Sequence, residues 1–169
     1  MIFSALLVVA GCVVPPVDGV VAFPYVAPAC DYCAGHRTID FEQSVGRLVV
    51  APVSGQITFA GEVVDREFVT IDPGPSTGFG RDVLFTVGGL HIDPDVKSGR
   101  VVTSGARLGL SNGLIYLSMR YIIEGKAARY VDPTPYVASR RTRARLIPNS
   151  RQGGRRAPER LSCPASFGR

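Results

Sequence analysis

The sequence predicts an all-β fold built from short antiparallel strands, and three observations carry that expectation. Glycine and proline make up 32 of the 169 residues, which cuts the chain into short pieces. No stretch holds a 3.6-residue apolar repeat over several turns, so a helical bundle or coiled coil is not expected. Six pieces rich in β-branched and aromatic residues instead lie between turn signals, at 47–51, 56–64, 67–71, 82–87, 100–102 and 115–123. Hydrophobic residues at 46% and charged residues at 20% provide for a packed core and exclude global disorder. One β domain is expected over 23–138, after a leader-like segment at 1–22 and before a tail at 139–169.

The chain opens on an apolar run, MIFSALLVVA. It is shorter than the ~20 apolar residues a membrane span needs and has the character of a secretory signal. Val9-Ala10-Gly11-Cys12 resembles the lipobox of bacterial lipoproteins, in which the cysteine becomes the lipidated first residue. No Lys or Arg precedes the run; a start upstream of Met1 would supply one. The competing reading is a buried first strand, ended by Pro15-Pro16. The expectation is export to the cell surface or envelope, with Cys12 as the lipidation site.

Four cysteines are present: Cys12, Cys30, Cys33 and Cys163. Cys30-Asp31-Tyr32-Cys33 is a single C-x-x-C with no second pair, so it does not make a structural zinc site, which takes about four ligands. In an exported protein Cys30 and Cys33 could form a local disulfide. A thioredoxin-type role lacks the surrounding βαβ pattern.

Along the body, Gln56-Ile57-Thr58-Phe59-Ala60 and Glu67-Phe68-Val69-Thr70-Ile71 alternate polar and apolar, as half-buried strands do. Val53-Ser54-Gly55, Asp65-Arg66, Lys97-Ser98-Gly99 and Ser111-Asn112-Gly113 read as turns. The glycine-rich stretch 72–80 has no lysine to meet phosphate and no following helix, so it is a loop and not a P-loop. Asp93-Pro94-Asp95 lacks the other ligands of a calcium loop and reads as a turn. The tail holds nine arginines and one glutamate, net +8, while the rest of the chain is net −3. With few apolar residues the tail is expected to be disordered and solvated, with anionic polymers as conceivable contacts. Nothing beside it suggests a nucleic-acid-binding fold, so no nucleic-acid partner is expected.

Two series resemble a known family. Gly35-His36-Arg37-Thr38-Ile39-Asp40, followed by Val49-Val50-Ala51-Pro52-Val53-Ser54-Gly55-Gln56-Ile57, is similar to the core of the peptidase M23 (LytM-type) family. Val96-Lys97-Ser98-Gly99, Val101-Val102 and Gly105-Ala106-Arg107-Leu108-Gly109 resemble its V-x-x-G-x-x-V-x-x-G-x-x-[IL]-G segment, and Tyr130-Val131-Asp132-Pro133 its closing Y-[VL]-D-P. The resemblance implies two stacked antiparallel sheets with a groove across one, related to the barrel-sandwich hybrid. Active members of the family hydrolyse peptide cross-links of peptidoglycan with one zinc. Ala51-Pro52-Val53-Ser54-Gly55 also resembles biotinyl and lipoyl carriers, but neither Lys97 nor Lys126 has the expected setting.

In active members zinc is held by the His and Asp of H-x-x-x-D and by the second His of a later H-x-H, whose first His helps catalysis. His36 and Asp40 match the first motif. The later one falls at Leu114-Ile115-Tyr116-Leu117-Ser118-Met119-Arg120, where Arg120 aligns but the two histidine positions read Leu114 and Tyr116. A further family histidine aligns near Gly89, and His91 two residues on reads as a loop histidine. A catalytic zinc needs about three protein ligands and a water. Leu114 can neither ligate nor move a proton, and a phenol with a pKa of ~10 is a poor ligand at neutral pH. The resemblance therefore implies a degenerate member with weak or no zinc binding and no assignable catalytic residue. It would bind peptidoglycan or a wall-enzyme partner. Two alternatives remain: an active zinc endopeptidase with an altered third ligand, and a purely structural envelope lipoprotein.

Overall fold

A computed structural model describes residues 11–30, 32–79, 82–141 and 160–162. Among them there is no α-helix, only two single-turn 3-10 segments, Pro75–Thr77 and Thr134–Tyr136. The strands are β1 (Val20–Phe23), β2 (Ile39–Glu42), β3 (Leu48–Val50), β4 (Gly55–Val63), β5 (Arg66–Asp72), β6 (Val83–Ile92), β7 (Val101–Val102), β8 (Arg107–Tyr121), β9 (Arg129–Val131), β10 (Ser139–Arg141) and β11 (Arg160–Ser162).

Nine of them form one antiparallel sheet in the order β1-β2-β8-β6-β5-β4-β7, with β3 and β9 also paired to β8. The hydrogen bonding is thus continuous through all nine strands, in the antiparallel all-β fold that the resemblance implies. The strand that joins the parts is β8, 15 residues long. Its first residues carry β3, its middle carries β2 and its end carries β9.

Ser111-Asn112-Gly113, which reads as a turn in the sequence, lies inside β8. Leu90 faces Ser111 while Gly88 faces Tyr116, so β8 advances five residues where β6 advances two. The Ser111 hydroxyl bonds both the N–H and the C=O of Gly113 at 3.0 and 3.1 Å. The turn signal is genuine, but it makes a bulge and not a chain reversal.

Strand alternation sorts the side chains. Ile57, Ile71, Phe85 and Met119 are cross-strand neighbours in one row, and Val69, Val87, Leu117 and Ile39 form the next. All eight are at most 2% exposed. Fully burying such a side chain contributes about 1.5–3 kcal/mol. Interleaved rows point to the other face: Phe23, Asp40, Tyr116, Gly88 and Phe68 in one, and Ser118, Thr86 and Thr70 in the next. Two aromatic rings lie on that face because Gly88 and Gly89 leave room. A Cβ on Gly88 would meet the Phe68 ring at 2.3 Å, and one on Gly89 the Tyr116 ring at 3.0 Å.

The packed body begins before residue 23. Val13 and Val17 belong to the core, at 0% and 3% exposure. Val13 N–H donates to Tyr136 O, Ala138 N–H to Val13 O, and Val50 N–H to Pro16 O, at 2.7–2.9 Å. Residues 1–10, where the leader is expected, lie outside the described residues. In the tail, 139–141 pair with 160–162 in an antiparallel ladder, which corrects the expectation of disorder for those six residues. The remainder, 142–159 and 163–169, lies outside the described residues. No helix among the described residues is long and apolar enough to cross a membrane.

Candidate functional site

His36 closes a loop. It pairs with Val26 through two backbone hydrogen bonds of 2.9 Å, and the loop between them carries the Cys30–Cys33 disulfide at its tip. Two short cross-links thus hold an otherwise irregular segment and set His36 at the entry to β2. Its ring centroid stands 6.3 Å from that of Phe23 on β1. From there the extended chain puts His36, Thr38 and Asp40 on one side, since side chains alternate. Asp40 is 2% exposed, held between β1 and β8.

His36 Nε2 lies 3.1 Å from Asp40 Oδ1. The Thr38 hydroxyl donates to the same Oδ1 and stands 3.1 Å from the same Nε2. The three atoms thus stand within hydrogen-bonding distance of one another, with the hydroxyl hydrogen given to Oδ1. This is not a nucleophile relay, because in such a relay hydroxyl and carboxylate engage opposite imidazole nitrogens. Burial of Asp40 is tolerable because its carboxylate is partnered twice.

Tyr116 is the direct cross-strand partner of Asp40, and Leu114 that of Glu42. Both positions therefore lie on the sheet face that carries Asp40 and Glu42. Their chemistry is not that of ligands to this pair. The Tyr116 hydroxyl accepts a 2.9 Å hydrogen bond from Arg66 Nη1, and the guanidinium lies over the ring, 5.3 Å from its centroid. Leu114 has no donor atom. His91, which reads as a loop histidine in the sequence, lies in β6, with Nδ1 3.3 Å from Glu67 Oε2. Arg120 faces the same side, opposite Tyr130, and its buried Nε has no hydrogen-bond partner.

Among the described residues no three His, Cys, Asp or Glu side chains converge. His36 and Asp40 are two donors, short of the three that a catalytic zinc takes. The described residues therefore do not fill that metal's coordination. Asp93 is likewise engaged: Arg107 Nη2 donates to its Oδ1 at 3.2 Å, and this bond holds the carboxyl below the usual carboxylate range. Cys12 is disulfide-bonded, and a lipid thioether would need the same sulfur.

Thr38 and Arg66 were not singled out by the sequence. Thr38 had a signal, the alternation that puts it beside His36 and Asp40. Arg66 had none, because its contact with Tyr116 depends on strand register 50 residues apart.

Solved structures share this architecture. The chain matches prophage-encoded M23 protein EnpA from Enterococcus faecalis with a TM-score of 0.54 and 18% identity, over 70% of this chain and 92% of that one. The chain has the fold of the M23 peptidases. Helicobacter pylori Csd3 matches with a TM-score of 0.61 and 15% identity over 77% of the chain, which spans 36% of the Csd3 length. A chain of the SpoIIQ-SpoIIIAH pore forming complex matches with a TM-score of 0.58 and 13% identity, over 75% of this chain and 91% of that one. No family model and no curated protein matches the chain. At these identities the M23 likeness is one of fold.

Proposed function

We propose that this protein is an exported M23-type domain of the bacterial envelope that binds peptidoglycan peptides, or a protein partner at the wall, without hydrolysing them. The observation that carries the reading is the pairing of Asp40 with Tyr116, with Leu114 two residues away on the same strand. In the family resemblance these are the positions of the two histidines that complete the site. The replacements keep the groove and remove the third ligand and the proton carrier. Zinc affinity is correspondingly weak.

Hydrolysis of an amide needs an activated water and a group that protonates the leaving amine. His36 is the imidazole beside Asp40, and Asp40 and Thr38 already stand within bonding distance of its Nε2. The aromatic row Tyr116, Phe68 and Phe23 on this sheet face favours holding an extended chain. A neighbour taken from a pore forming complex supports the reading in which such a fold serves assembly.

Anchoring follows from the same proposal in two exclusive forms. Either Cys12 is lipidated or it stays in its disulfide. Mass spectrometry of the exported protein distinguishes them.

The functional test is sedimentation of the purified chain with insoluble cell walls, read beside wall turbidity in zinc-containing buffer. The expected result is co-sedimentation with no loss of turbidity. Turbidity loss that disappears in His36→Ala would establish instead a working endopeptidase, and absence of both leaves a structural envelope protein.

A further inference from the structure

The loop that closes on His36 is held by cross-links and not by packing. Its described residues, 27–30 and 32–35, place no side chain in the hydrophobic core, and Tyr32 at the tip is 94% exposed. Three links tie it down. Val26 and His36 pair through their backbones at its base, the Cys30–Cys33 disulfide closes its tip, and Arg37 Nη2 donates to Cys33 O at 3.3 Å. A segment without apolar anchors opens locally at low cost, so its order rests on these links.

The disulfide is placed to be opened. It joins residues only three apart in sequence. A bridge stabilises a fold in proportion to the chain it closes, so this one adds little to global stability. Cys30 is exposed and lines a cleft of about 510 Å³ between the loop and the connection from β8 to β9, walled by Pro28, Ala29 and Ala127. That cleft gives an incoming thiolate a way to Cys30. Exposed disulfides are the labile ones, and buried ones the structural ones. Cys12 has the opposite setting. It is disulfide-bonded next to Val13, which is 0% exposed and whose backbone is bonded to Tyr136 and Ala138.

We propose that Cys30–Cys33 is a thiol–disulfide exchange site that takes electrons from a dithiol, and that its reduction loosens the seat of His36. One thiolate of the dithiol bonds the Cys30 sulfur and expels the Cys33 thiolate. The second thiol of the reductant then attacks the mixed disulfide, frees Cys30 and leaves as a disulfide. The protein gains two electrons, and the two protons released by the dithiol go to the cysteine sulfurs. The Cys33 turn, which Arg37 holds from the position next to His36, is then free to move. The inference goes beyond the wall-binding reading and stands without it.

The test is a redox titration of the full chain in dithiothreitol buffers of stepped reduced-to-oxidised ratio. Alkylation with mass spectrometry reads each cysteine, and hydrogen exchange reads the Val26 and His36 amides. Cys30 and Cys33 are expected to be alkylated together at a ratio at least about tenfold below the one that releases Cys12. Once they are reduced, the two amides are expected to exchange about tenfold or more faster, while the cooperative unfolding transition persists. Cys30→Ser/Cys33→Ser should show the fast exchange in every buffer, and the selectively reduced natural chain gives the same reading without a substitution. Reduction of Cys30–Cys33 together with or after Cys12, amide exchange unchanged by reduction, or global unfolding when this disulfide alone is cut overturns the assignment.

Discussion

At the scale of single residues, the site turns on what stands opposite Asp40. In the reading proposed above a histidine there would be the third metal ligand; Tyr116 instead places a phenol that Arg66 holds by hydrogen bond and by stacking. The ring has space only because Gly89 adopts φ +82° and has no Cβ, which would come within 2.1 Å of Leu114 O. Gly89→Ala is therefore expected to destabilise the fold by more than the ~1–2 kcal/mol that a left-handed alanine costs alone, read as a lower denaturant midpoint. An unchanged midpoint would mean that the Tyr116 ring is not seated on this turn. Much of the residue-scale picture was legible in the sequence. The spacing of His36 and Asp40 located the pair, and the alignment put Leu114 and Tyr116 on its side. Contacts set by register, such as Arg66 on Tyr116 and His91 on Glu67, were not legible, since no local pattern encodes which strands become neighbours.

At the scale of elements, β8 organises the molecule. It touches β2, β3, β6 and β9, and its inward residues Ile115, Leu117 and Met119 are fully buried. Leu117→Ala should cost about 2–5 kcal/mol, because the cavity would open in the centre of a row that crosses four strands. Chemical denaturation checks this, and a cost below about 1 kcal/mol would contradict the placement of Leu117 at the core. Apolar alternation announced β4 and β5 well. It missed β1, β2 and β9, whose three or four residues are too few for a period to emerge, whereas β3 and β7, no longer, were marked by their β-branched composition. The start of β8 was missed for a different reason: a Ser-Asn-Gly bulge has the composition of a turn, and only its pairing partners reveal that the strand continues.

At the scale of the whole molecule, a fold shared with M23 peptidases carries the His36–Asp40 pair on one sheet face, with Tyr116 opposite Asp40 on the neighbouring strand. Residues 13–17 pack into the body, so the domain draws its stability from a segment that reads as a linker in the sequence. The basic tail, by contrast, contributes a short ladder at 139–141 and 160–162. The proposed reading holds that Leu114 and Tyr116 stand where further metal ligands would be needed beside His36 and Asp40. The direct measurement is zinc content after dialysis against a chelator and then against trace zinc, for the natural chain and for Leu114→His/Tyr116→His. The account predicts no retained zinc in the natural chain and one equivalent in the double variant, dependent on His36. One tightly held zinc in the natural chain, lost in His36→Ala, would contradict it.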